Sequence, residues 1–72
     1  MTEKEEVLFM KIRLLELASE KWKLTREAAA NVFDKNDVYS FISDLYDEFH
    51  VQGDDANLAE IETWLRTKGV KV

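Results

Sequence analysis

Asp44, Asp47 and His50 follow one another at three-residue intervals in the stretch "SDLYDEFHVQG", with Tyr46, Glu48 and Phe49 between or beside them. On a helix such spacing places the three groups on one side, a turn apart. Two carboxylates and an imidazole could begin a metal site, or Asp47 could orient His50 as a general base. A transition metal takes three or four protein ligands of suitable softness, and this chain holds one histidine and no cysteine. Asp54 and Asp55 could reach in from "GDDAN", which lacks the ligand spacing of a calcium loop. A hydrolytic site would need Ser40, Ser43 or a threonine as nucleophile, and no signature surrounds any of them. A minimal metal or catalytic site at Asp47 and His50 is therefore an alternative reading. The simpler one places His50 in the last turn of a helix, at the negative end of its dipole and one turn from Asp47. The expectation is a non-enzymatic protein with no catalytic, cofactor-binding or metal-ligating residue and no cofactor.

Elements that position these residues must come from a short chain. Seventy-two residues allow one small domain, spanning 1–72, near the lower limit for a self-sufficient core. No disulfide or thiolate zinc site can support it, because cysteine is absent. Two glycines, no proline and 46% hydrophobic residues favour long helices and argue against disorder. The apolar run "VLFM" is broken at once by Lys11, Arg13 and Glu16, too soon for a signal core or a membrane span. The expectation is a soluble, cytoplasmic chain, complete from its own Met1, with no membrane contact.

Helical periodicity runs through the sequence. A first helix is expected over about residues 4–22. Val7, Leu8, Ile12, Leu15, Ala18 and Trp22 form a broad apolar stripe on it, and Met10, Leu14 and Leu17 a narrower one. A helix apolar on two flanks either lies at the centre of the fold or offers one stripe to a partner. Thr25 caps a second helix at about 26–34, and Asn36 or Asp37 can turn left-handed, with Asp37 capping the next helix. The third helix, about 38–50, carries Val38, Phe41, Ile42, Leu45 and Phe49 as its core stripe. The fourth, about 57–68, is expected to begin at an Asn57–Glu60 capping box and to stop at Gly69. The fold class is all-α, a single four-helix domain with non-parallel packing.

The net charge of −5 is uneven: residues 1–33 balance, 34–62 carry −8, and 63–72 carry +3. An acidic second half repels phosphate backbones and can attract a basic partner. The second and third helices have the spacing of a helix-turn-helix, but the outward side chains of the latter are acids, so nucleic acid is an unfavoured partner. What remains is an interaction protein. Asp44, Tyr46, Asp47, Glu48 and His50 would form its polar contact patch, and Met10, Leu14 and Leu17 an apolar one.

The pieces "FISDLYDEFHVQG" and "IETWL", with "VLFMKIRLLELASEKWKLT" and "VFDKNDV" before them, resemble a small bacterial helical family classed as a domain of unknown function. The resemblance rests on Phe41, Ile42, Tyr46, Asp47, Phe49, His50, Gly53, Ile61 and Trp64, around a Tyr-Asp-x-[Leu/Phe]-His motif. Where the family pattern has glycine near the second turn, this chain has Asp37. The resemblance implies a small helical domain without an established activity, encoded near ADP-ribosyltransferase-like toxin domains. An antitoxin-like or accessory role would suit that setting. The leading reading is thus a non-enzymatic protein-binding adaptor whose partner is a toxin-like enzyme or a second copy of itself. The alternatives are a DNA-associated regulator and the Asp47/His50 site.

Overall fold

The computed structural model describes residues 2–72 and is all-helical, with no strand among them. The helices are α1 (Glu3–Trp22), α2 (Arg26–Lys35), α3 (Val38–Asp44), α4 (Tyr46–Phe49) and α5 (Asp54–Thr67). α1 starts at a capping box: the Thr2 hydroxyl accepts from the Glu5 amide, and the Glu5 carboxylate accepts from the Thr2 amide. Thr25 caps α2 as expected, accepting from the Ala28 amide at 3.0 Å. α5 ends in a Schellman turn, with Gly69 left-handed (φ 80°), Val70 N–H donating to the Leu65 carbonyl, and Val70 packed on the core.

The third expected helix is two helices. Leu45, at φ −102° and ψ 13°, leaves the helical region and separates α3 from α4. Ser43 and Asp44 before it are weak helix formers, and the Glu48 amide closes a tight turn on the Leu45 carbonyl at 3.0 Å. Periodicity does not register the break, because Leu45 and Phe49 keep their four-residue spacing through it. α5 also begins earlier than expected, with Gly53 as N-cap and Asp54 and Asp55 in the first turn, where the dipole favours anions. Asn57 is no cap; it is fully buried and donates from Nδ2 to the Phe49 carbonyl at 2.9 Å. Glu60 instead accepts from Gln52 Nε2. Asp37 turns left-handed (φ 55°) but makes no side-chain cap to α3.

α1 packs against α2, α3 and α5, and its interior face draws on both apolar stripes. Met10, Leu14 and Ala18 are buried there with Phe33, Val38, Ile42, Phe49, Leu58, Ile61 and Leu65. The assignment of Met10, Leu14 and Leu17 as an apolar contact patch is therefore corrected. Met10 and Leu14 lie within the core, and Leu17 is half-buried against it. Aromatic rings bridge the helices: Trp22 meets Phe33 edge-on, Phe33 meets Tyr39, and Phe41 lies between Phe49 and a parallel Trp64 at 4.4 Å.

One charge is taken into this interior. Glu62 accepts from the Trp22 indole at 2.8 Å and from Lys21 at 3.0 Å, tying α5 to the end of α1. Burial pushes its carboxyl up, but the Trp22 and Lys21 hydrogen bonds and the Lys21 and Arg66 charges outweigh it, and the net shift is downward. A depressed folded pKa gives stability that is full above the unfolded value, about 4.3, and is lost as pH falls through the folded one. Glu62→Gln should cost about 1–3 kcal/mol at neutral pH. In urea denaturation the gap between the two proteins should narrow below about pH 4. Lys23 also sits at positive φ (57°), beyond α1. Lys23→Gly should raise stability by about 1 kcal/mol, and Asp37→Gly by less, since aspartate tolerates that conformation better.

Candidate functional site

α4 is a single turn whose position brings Tyr46 and His50 to the surface beside α1. Their rings stack at 5.2 Å with 17° between planes. His50 Nδ1 lies 3.1 Å from the Tyr46 carbonyl, which can only accept, so Nδ1 carries the proton and Nε2 is left as the outward nitrogen. Asp47 therefore does not orient His50: the ring turns to the backbone one turn back, and no ion pair joins the two residues. Asp44, Asp47 and Glu48 are exposed, as is His50. Among the described residues, no three His, Cys, Asp or Glu side chains converge as a metal site.

Against α1 these groups form a shallow groove of about 380 Å3. Glu6, Phe9, Met10 and Arg13 line one side; Tyr46, Phe49, His50, Gln52 and Asp54 line the other. The Tyr46 hydroxyl donates to Glu6 Oε2 at 3.1 Å, and Arg13 Nε reaches Asp54 Oδ2 at 3.4 Å. These two contacts span the groove from α1 to α4 and from α1 to α5. Val51, beside His50, is 74% exposed. A neighbouring groove of about 450 Å3 is acidic, lined by Glu16, Glu20, Asp54 and Asp55 with Arg13 and Leu17.

Of the residues expected at the polar patch, Tyr46 and His50 come together at the groove, while Asp44, Asp47 and Glu48 are exposed on the same helices. Glu6 and Arg13, which sequence reasoning does not place at the site, come from α1, whereas Asp54, expected to reach in from a loop, lines the groove from the first turn of α5. Nothing local signals that those elements meet. Leu8, Phe9 and Ile12 are likewise exposed without any sequence signal that marks them as surface residues. Leu8 and Ile12 belong to an apolar stripe as regular as the buried one, and Phe9 lies beside it.

A family model described as a protein of unknown function, DUF3791, matches residues 9–68. The chain belongs to the DUF3791 family. The matched DUF3791 region takes in all of α2 to α5 and most of α1, so the groove lies within it except for Glu6. No curated protein and no solved structure matches the chain. No described helix of this DUF3791 protein is long and apolar enough to cross a membrane.

Tyr46 provides a probe of the groove. Partial desolvation, then its bond to Glu6, then the charges of Glu6, Glu3 and Asp47 raise the phenol above its ordinary value of 10.0. Tyr39, desolvated and near Asp34, is raised as well. A raised folded pKa gives stability that is full below the unfolded value and lost as pH rises through the folded one. Ultraviolet titration should find both phenols above about 10. Glu6→Gln should lower the Tyr46 midpoint and leave that of Tyr39 in place.

Proposed function

We propose that this protein is a non-enzymatic protein-binding module, an adaptor or antitoxin-like accessory protein, that engages its partner at the α1–α4 groove. One observation carries the reading: the stacked Tyr46–His50 pair lines the groove with Phe9 and with the carboxylates Glu6 and Asp54, and Val51, next to His50 in the chain, is 74% exposed. Glu6 and Asp54 line the groove, and Asp47 and Glu48 are exposed on α4. An aromatic and aliphatic centre within a charged rim is the common anatomy of a protein interface. The acids select a partner segment that carries lysine or arginine, and they steer its approach. A toxin-like enzyme, the partner implied by the family resemblance, is the first to test.

A DNA-associated role has less support. α2 and α3 are joined by a short turn, but α3 has only seven residues. The neighbouring Asp44, Asp47 and Glu48 repel phosphate.

The double variant His50→Ala/Val51→Asp changes only exposed side chains and should keep the wild-type melting curve. A protein captured by the tagged wild type from source cells is identified, purified and titrated by calorimetry. Binding should weaken with salt and fall at least about ten-fold in the variant. The reading fails if no protein is retained while double-stranded DNA is bound at moderate salt.

A further inference from the structure

The outer face of α1, away from the core, carries a second surface. Leu8 is 54% exposed and Ile12 46%, and Leu15, next in line, is half-buried against the edge of the core. Their spacing of four and then three residues is that of d, a and d positions in a heptad. In that register Lys4 and Lys11 take the g flank, and Phe9 and Glu16 the e flank. The core residues Met10 and Leu14 fall at f and c, and Ala18 falls at the g position beyond the last residue of the seam, so covering Leu8 and Ile12 does not disturb the domain's interior.

We propose that this face binds the same face of a second copy of the chain, as a parallel, two-fold symmetric pair of α1 helices. In a parallel pair the g flank of one helix meets the e flank of the other, five residues further on. Lys11 then meets the second copy's Glu16. Within its own chain Glu16 uses Oε1 toward Arg26 at 3.3 Å, which leaves Oε2 for the lysine. Lys4 meets the second copy's Phe9. On that flank a largely apolar groove of about 590 Å3 opens between α1 and Ser43 of α3, beside Lys4, Val7, Leu8 and Lys11. Phe9, 44% exposed, is the knob that fills it from the other copy. Both contacts repeat across the two-fold axis, as a closed dimer requires. An antiparallel pair sets g against g and brings the lysines of both copies together, so charge selects the parallel arrangement. The seam is short, ending at Glu5 and Ser19 in the flanking a positions, so the dimer is weak and reversible.

Sedimentation equilibrium from micromolar to millimolar protein tests this. The wild type should pass from monomer to dimer. Lys11→Glu and Glu16→Lys should each weaken the dimer roughly five-fold or more, and an equimolar mixture should recover it, because both crossed pairs then carry opposite charges. The chain has no cysteine. Glu5→Cys should therefore oxidise to a disulfide-linked dimer only if the helices run parallel. A wild type that stays monomeric at millimolar concentration overturns the proposal. So does a failure of the mixture to recover, or cross-linking by Ile12→Cys without cross-linking by Glu5→Cys.

Discussion

A chain this short, without disulfide or metal, has to find its stability in helix packing, and that requirement falls on one side of α1. Leu14 lies at its midpoint with no exposed surface, and Met10 and Ala18 extend the same face a turn in each direction. Phe33, Val38, Ile42, Phe49, Leu58, Ile61 and Leu65 come from all four other helices into the same cluster. Burying each large side chain contributes about 1.5–3 kcal/mol, and among the described residues the large buried apolar side chains gather in this one cluster. The fully buried Ala18 and Ala29 add little area themselves but allow close approach of neighbouring backbone. At the end of this face, Glu62 fixes how α5 lies against α1. Its carboxylate is held by an indole and an ammonium from successive residues, Trp22 and Lys21. A carboxylate so enclosed adds direction to a contact that apolar packing alone leaves free to slide.

The all-helical class, the start of α2 and the stop at Gly69 are local properties, so they could be read from capping residues and periodicity. Thr25 bonds Ala28 because its hydroxyl is placed there by the chain itself, whatever the tertiary fold. The core stripe of α3 and α4 was legible for the same reason, since Val38, Ile42 and Phe49 repeat at helical spacing and are all buried. The start of α5 was not. Asn57 has the chemistry of a cap, but the Phe49 carbonyl, which also accepts from the Gln52 amide at 3.2 Å, takes its side-chain amide instead. Its Oδ1 stays buried without a protein partner, a cost that local rules would not choose. The break at Leu45 was not legible either, because residues on both sides of it keep helical spacing toward one core.

α1 presents the harder ambiguity. Its two stripes are comparably apolar, and a hydrophobic pattern reports that a face is greasy without saying what covers it. The interior takes Met10 and Leu14 from the narrow stripe and Ala18 from the broad one, where they join buried residues of the other four helices. Leu8 and Ile12 remain outside, at 54% and 46% exposure. The candidate groove was half legible. Tyr46 and His50 sit one turn apart on a single helix, so their meeting is set by spacing. The meeting of Tyr46 with Glu6 joins residues forty positions apart and depends on how α4 leaves the break at Leu45.

That break also links the two surfaces. A helix continued straight from Val38 to His50 would carry Tyr46 along the α3 axis. Beyond the turn at Leu45, Phe49 packs edge-on against Phe41 while the Tyr46 hydroxyl reaches Glu6 in the first turns of α1. The same turns carry Leu8 and Ile12 on their outer side. Glu6 and Leu8 are two residues apart and face different ways, one toward the Tyr46 hydroxyl and one into solvent. A partner held at the groove and a second copy held at the seam would therefore both rest on residues 6–16 of α1. The Met10–Leu14 core packing keeps that segment rigid. Phe9 lines the groove and is also the knob of the seam, so the two occupants would meet at one side chain.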